Sequence, residues 1–168
     1  MRKLSFKKNS NITNKSNKGK TKKQKFTGGG STYQEWAYLP VKLVDKLVAL
    51  AEYYSVSHKA RGLQKPTKSD EGFLTMYRKY GTKMEPMPVR ANRPEGENWK
   101  HHRNDFCSRR YSMIKGKANY GLYDANTGLP SVMHVNMLMW ACSPDMKTIS
   151  KNVNKYLAIV KKLKNNKK

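Results

Sequence analysis

A chain of 168 residues with 35 lysines and arginines against 11 aspartates and glutamates has a formal charge of +24. Solubility does not need so large an excess, which predicts a polyanionic partner, nucleic acid ahead of an anionic membrane surface. The two cysteines, Cys107 and Cys142, are too few for a disulfide framework, and no apolar run approaches the roughly 20 residues of a transmembrane helix. We therefore expect an intracellular, non-secreted protein with reduced cysteines and no membrane partner.

The two ends of the chain are basic tails. Residues 1–30 contain ten lysines and arginines, no acid and few apolar side chains, so we expect disorder over residues 1–31. A second basic tail is expected over residues 161–168, which contain five lysines and no acid. Residues 32–160 then form one small core domain, long enough to bury a core of its own. In the first tail the expected phosphate contacts are Lys20, Lys22 and Lys23.

The first two helices are predicted from apolar spacing and end signals. After Pro40, apolar side chains recur at helical spacing over about residues 41–55. The second helix follows a capping box formed by Thr67 and Asp70 and stops at Gly81. Three prolines between residues 82 and 96 then predict an extended connector.

Three further helices complete the predicted core. The third runs from Asn98, a suitable N-cap, to Gly116, a suitable stop. After a turn-rich segment, Ser131 caps a fourth helix over residues 132–142, whose apolar circumference is typical of a central buried helix. The fifth begins with Ser143 as N-cap and continues to the second tail. The predicted fold is therefore all-α, with about five helices in one small domain.

The third predicted helix places two arginines among aromatic side chains. At 100° per residue, Arg103, Phe106 and Arg110 all lie within about 40° of Trp99 around the helix. An arginine in this position either presents its guanidinium to a phosphate or pairs with an internal carboxylate, and the sequence favours neither. The carboxylates considered for internal pairing are Asp70, Glu71, Asp105 and Asp145.

The histidines and cysteines raise the question of a metal site or a nuclease. Zinc would require at least three of His101, His102, Cys107, His134 and Cys142 to converge, but His102 and Cys107 are about 140° apart around a helix. An HNH-type nuclease places a β-hairpin before its metal-binding helix, whereas a proline-rich segment precedes this one. Phosphate-loop, dinucleotide-binding and nucleophile-elbow motifs are also missing from the sequence. We therefore expect no metal, no cofactor and no enzymatic activity.

Cations interleaved with aromatic side chains favour nucleic-acid binding, because a base stacks on an exposed ring while a neighbouring cation meets the phosphate. The sequence has no recognisable helix-turn-helix pair with base-reading side chains. Binding is therefore expected mainly to backbone phosphates, with steep salt dependence and little sequence preference, and to DNA rather than RNA. Outside the first tail, the expected contacts are Arg61, Arg90, Arg93, Arg103, Arg109, Arg110, Lys115 and Lys117.

About a quarter of the chain, residues 106–145, carries a sequence order that resembles a known domain. The order is F-C-x-R-R, a basic spacer, GLPS, an apolar helix with Trp140, and a closing S-P-D. It resembles a short domain of unknown function found in proteins of tailed phages and giant viruses. The resemblance implies a viral setting with association to a genome or virion, and it supplies no activity or catalytic residue to carry over to this chain.

Two hypotheses follow for the function. The first is a non-enzymatic, largely sequence-independent nucleic-acid-binding protein of a virus, located in the virion or in the host nucleoid, nucleus or cytoplasm. The second is a structural component of a large assembly, either a minor capsid protein or a ribosomal protein. In that case the basic tails would thread between neighbouring subunits or RNA helices.

Overall fold

The computed structural model describes residues 35–63, 71–89, 97–115 and 121–166. The chain divides into two units, Met1–Ser31 and Thr32–Lys168, and every described residue belongs to the second. Over the described ranges the chain forms helices and no β-strand; the only bridges there are two isolated antiparallel ones. The predicted all-α class with five helices is confirmed. The five helices are α1 (Val41–Tyr53), α2 (Phe73–Tyr80), α3 (Trp99–Lys115), α4 (Val132–Leu138) and α5 (Met146–Asn165).

The main contacts between helices are made by α1 and α4. α1 packs against both α4 and α5, and α3 packs against α4. Four of the seven residues of α4 are buried, in agreement with the prediction of a buried fourth helix. Within the described ranges no helix has the length and apolar character needed to cross a membrane.

Three helix ends lie where the sequence predicted them. Asn98 Oδ1 accepts the main-chain N–H of His101 at 3.0 Å at the start of α3. Ser131 Oγ accepts the N–H of His134 at 3.3 Å and caps α4. Gly81 ends α2 with a φ of 57°, in the left-handed region that favours glycine. Each of these signals is local, so the sequence alone was sufficient to find it.

The fourth helix is shorter than predicted. It ends at Leu138, and residues 139–141 form a turn in which Ala141 has a φ of 53°. The carbonyl oxygen of Ala141 accepts the N–H of Leu39 at 2.9 Å, in the segment before α1. Apolar periodicity predicted a helix over residues 132–142 because the pattern depends only on neighbouring residues. It carries no information on a hydrogen bond to a distant segment, such as the one between Ala141 and Leu39.

The fifth helix starts and ends later than predicted. Its N-cap is Asp145, whose Oδ1 accepts the N–H of Thr148 at 3.3 Å, and not Ser143. The hydroxyl oxygen of Ser143 instead accepts the N–H of Asp145 at 3.0 Å, just before the helix. At the other end, residues 161–165, which the sequence placed in a basic tail, continue α5 to Asn165.

Parts of the predicted organisation lie outside the described residues. These are the first tail, residues 1–31, and the capping box of Thr67 and Asp70. The connector predicted over residues 82–96 overlaps a short 3-10 helix, Gly81–Met84, which follows α2 directly.

A disulfide joins Cys107 in α3 to Cys142 in the segment between α4 and α5, with Cα atoms 6.4 Å apart. Both cysteines are completely buried. The prediction that they are reduced was wrong. A count of two cysteines argues against a disulfide framework, but it does not argue against a single cross-link. Packing of α3 on α4 brings together two cysteines that are 35 residues apart in sequence.

Candidate nucleic-acid interface

Arg103 of α3 lies inside the protein, with 1% of its surface exposed. Its Nε donates to the main-chain carbonyl of Trp140 at 3.0 Å. Nη1 donates to the carbonyl of Trp36 at 2.8 Å. Nη2 donates to the carbonyls of Ala37 and Ala141, both at 2.7 Å. Main-chain oxygens from two distant segments therefore surround this guanidinium.

The remaining donor of Arg103 is also used. Its Nη1 donates to Asn104 Oδ1 at 3.2 Å, so that all five N–H groups of the guanidinium have acceptors. The guanidinium lies 3.6 Å from the centroid of the Tyr38 ring, a cation–π contact. Burial lowers the pKa of Arg103, and the carbonyl dipoles take the place of solvent around its charge. The prediction of Arg103 as a phosphate contact was wrong, and main-chain carbonyls replace the internal carboxylate that was the alternative.

The other predicted contacts differ in exposure. Arg109 and Lys115 are exposed on α3, and Lys115 Nζ lies 4.8 Å from the centroid of the Tyr111 ring. Arg61 has only 11% of its side chain exposed, and its Nη1 lies 3.7 Å from Glu52 Oε1. Arg109 and Lys115 therefore face solvent, whereas Arg61 is held within the protein surface.

The rest of the predicted set cannot be compared with the structure. These residues lie outside the described ranges: Arg90, Arg93, Lys117 and the tail lysines Lys20, Lys22 and Lys23.

Arg110 lies at the boundary between core and solvent. It is half-buried, and its Cζ lies 5.2 Å from the centroid of the Phe106 ring. Its Nη1 lies 3.7 Å from the sulfur atoms of both Met113 and Met133. Thioether sulfur is a weak acceptor, and Arg110 forms no ion pair with another described residue. Of the two arginines on the predicted stripe, Arg110 is the one that remains accessible to an anion.

A row of lysines on α5 is a feature that the sequence analysis missed. α5 contains no acidic residue, and all six of its lysines are exposed. At 100° per residue, four of them lie within an arc of about 80°, along about 22 Å of the helix. None of the four forms an ion pair with another described residue. We call these four residues the lysine row: Lys147, Lys151, Lys155 and Lys162.

The signal for the lysine row was visible in the sequence. Lys147, Lys151 and Lys155 are spaced four residues apart, which places them on one helical face. The apolar stripe predicts the fifth helix, and the lysine row lies on the polar face of the same helix. The basic residues from 161 onward were assigned to a tail, although Lys162 belongs to the same face.

Four aromatic rings stack in a column through the core. Phe106 stacks on Trp140 with centroids 4.3 Å apart and planes at 16°. Trp140 stacks on Phe73 at 5.0 Å and 13°, and Phe73 stacks on Tyr77 at 5.5 Å and 21°. Both faces of the Trp140 indole are thus covered, and Phe106 is the half-buried end of the column.

A cavity of about 410 Å³ lies between the loop after α1, the start of α2 and one face of α3. Three charged residues line it: Lys59, Glu71 and Arg110. The size is within the range of small-molecule sites. Its aromatic lining residues are Phe73, Trp99, His102, Phe106 and Trp140.

The buried histidine of α4 is part of the core. His134 Nε2 lies 2.8 Å from Ser143 Oγ, and Nδ1 lies 3.0 Å from the carbonyl oxygen of Leu122. Burial lowers the pKa of His134 to about 4. In a catalytic triad a carboxylate accepts a hydrogen bond from the histidine Nδ1, whereas here the Leu122 carbonyl oxygen lies beside His134 Nδ1. Both His134 and Ser143 are buried. This pair therefore holds segments together and does not form a catalytic site.

The side chains considered for zinc do not form a group. Cys107 and Cys142 are bonded to each other, and His102 Nδ1 lies 2.7 Å from Glu97 Oε1. Within the described residues, no three histidine, cysteine or acidic side chains are placed to hold a metal ion.

Comparison of the chain with protein-family models, curated proteins and solved structures finds no match.

Proposed function

We propose that this protein binds nucleic acid through backbone phosphates, without catalysis and largely without sequence preference, and that it prefers DNA to RNA. The observation that carries the proposal is the lysine row. Duplex DNA carries one negative charge per about 1.7 Å of axis, so about 22 Å of helix spans about a dozen phosphate charges. A row of ammonium groups on a rigid helix suits such a partner.

The setting of the row supports the proposal. α5 packs against α1 in the core, so its exposed face keeps its position. Lysine ammonium groups act as point charges that meet phosphate without a fixed geometry, which favours binding to backbone over reading of bases. The chain charge of +24 strengthens the attraction at long range.

The experiment measures the affinity for a short DNA duplex as a function of salt. Wild-type affinity should fall steeply between about 50 mM and 200 mM salt. The double variant Lys151→Gln with Lys155→Gln should reduce the slope of log K against log salt by about 1.8, because two phosphate contacts are lost. A protein that binds no duplex even at low salt would overturn the proposal.

A matched control separates the lysine row from net charge. Lys79 and Lys83 are exposed outside α5, on α2 and the short 3-10 helix. The double variant Lys79→Gln with Lys83→Gln removes the same charge and should change the slope by clearly less. Equal effects of the two double variants would show that total charge, and not the lysine row, determines binding. A duplex RNA of the same length tests the preference for DNA.

The disulfide favours a second candidate function. Disulfides persist in oxidising surroundings, including virion surfaces, and are rare in the reducing cytosol. Among structural assemblies, the bond between Cys107 and Cys142 therefore favours a minor capsid protein over a ribosomal protein. The viral setting itself rests on the resemblance over residues 106–145. Sedimentation with intact particles, together with failure to bind free DNA, would support this candidate over the first.

A further inference from the structure

The aromatic column ends at the wall of the cavity. One face of the Phe106 ring is covered by Trp140, at 4.3 Å and 16°. The guanidinium of Arg110 lies over the same ring at 5.2 Å, and both residues line the cavity. An aromatic ring beside an arginine is a common binding site for a nucleobase, because a base stacks both on aromatic rings and on guanidinium planes.

The charges around the cavity favour an anionic ligand. Arg110 contacts two methionine sulfurs, and Lys59 is exposed. Neither cation forms an ion pair with another described residue. Phosphate would supply the charge-assisted hydrogen bonds that thioether sulfur does not.

The cavity also offers a carboxylate to the edge of a ligand ring. Glu71 lines it, and its carboxylate is an acceptor for amino or imino hydrogens. A flat ring with hydrogen-bond donors on its edge, joined to a phosphate, matches the aromatic lining, the carboxylate and the two cations of the cavity.

We infer that the cavity takes one unpaired nucleobase of a single-stranded nucleic acid. The base takes the place of the Arg110 guanidinium over the Phe106 ring, and this guanidinium and Lys59 bind its phosphate. This inference rests on the proposed function and adds a preference for single strands to it. An unpaired base is favoured, since a base within a duplex enters a cavity only after it leaves its stack and its pairing partner, at a cost in unstacking and unpairing energy. The lysine row binds backbone, and the cavity binds the base.

Tryptophan emission tests the inference directly, because Trp99 and Trp140 line the cavity. Adenosine 5′-monophosphate should change the emission saturably, whereas ribose 5-phosphate, which lacks the base, should not. Equal responses to the two ligands, or no response to either, would overturn the inference.

Two substitutions locate the site. Phe106→Leu should weaken binding to a short single strand by at least about five-fold, as expected for loss of one base–aromatic stack, and leave duplex binding nearly unchanged. Phe106→Tyr keeps the ring and should restore the affinity. If Phe106→Leu lowers stability, this rescue still separates stacking from folding. Unchanged single-strand affinity in a folded Phe106→Leu protein would overturn the inference.

The neighbouring arginines provide a charge-matched pair. Arg110 lines the cavity, whereas Arg109 is exposed and is not among its lining residues. Arg110→Gln should weaken single-strand binding several-fold more than Arg109→Gln. Equal losses would contradict the base site, although the lysine row could still bind duplex. A protein that binds no oligonucleotide at low salt would overturn the proposed function, and the comparison of the two small ligands would still decide the inference about the base.

Discussion

Arg103 Nη2 donates to the main-chain carbonyl of Ala141 at 2.7 Å, at the turn where α4 ends. The same carbonyl oxygen accepts the N–H of Leu39 at 2.9 Å. One buried guanidinium thus joins α3, the segment before α1 and the turn after α4. The charge of this arginine serves the fold and is not available to an anionic partner.

Replacing Arg103 by alanine should lower the free energy of unfolding by about 3–5 kcal/mol, because buried carbonyls lose their donors. Urea denaturation measures the change. Arg109→Ala, at an exposed position in the same helix, should stay within about 0.5 kcal/mol of wild type. A stable Arg103→Ala protein with weakened nucleic-acid binding would contradict the internal role.

Reduction of the disulfide between Cys107 and Cys142 should lower the free energy of unfolding by about 3–4 kcal/mol. The physical reason is that the bond closes a loop of 35 residues in the unfolded chain and so limits its conformational freedom. Denaturation with and without a reductant measures the difference, and the Cys107→Ala with Cys142→Ala variant should be insensitive to the reductant. Alkylation of both thiols in native, unreduced protein would show that the bond is absent.

Stability should fall as the pH decreases from about 6.5 to about 4. Burial lowers the pKa of His134 from 6.5 to about 4. In that window the unfolded chain binds a proton at this position and the folded protein does not, so protonation favours unfolding. The full effect is about 3 kcal/mol, present above pH 6.5 and lost by about pH 4.

Two measurements test the role of His134. Urea denaturation across the window should show a weaker pH dependence for His134→Gln than for wild type. Glu35, Asp124 and Asp145 also make stability fall at the acid end of this window, because their pKa values are lowered. The comparison of His134→Gln with wild type at each pH removes this shared contribution. An NMR titration in which the His134 ring titrates near its ordinary pKa would contradict the prediction.

Asp145→Ala should destabilise the protein by about 1–2 kcal/mol through loss of the α5 cap. Its Oδ1 accepts the N–H of Thr148, and its Oδ2 accepts the hydroxyl of Tyr123 at 2.9 Å. Asp145→Asn keeps an oxygen acceptor at the cap and should have a smaller effect in thermal denaturation. Equal losses in the two variants would indicate that the charge, and not the cap, supplies the stability.

The sequence by itself determined the local features of this protein. The all-α class, the caps at Asn98 and Ser131 and the stop at Gly81 depend on residues within a few positions of one another, and all of them are confirmed. The excess of positive charge is a property of composition alone. The lysine row was also within reach, because its spacing is helical.

Tertiary structure decided the rest. The carbonyls around Arg103 belong to residues 37 to 67 positions away, and Cys107 meets Cys142 across 35 positions. The cavity exists because α3, the start of α2 and the loop after α1 meet around the stacked rings. Helical periodicity predicts on which face of a helix a residue lies, but it does not predict which other residues or which solvent that face contacts. Packing alone therefore distinguishes Arg103 from Arg110, seven residues later on the same helix. The five N–H groups of Arg103 bond four main-chain carbonyls and Asn104 Oδ1, whereas Arg110 borders the cavity.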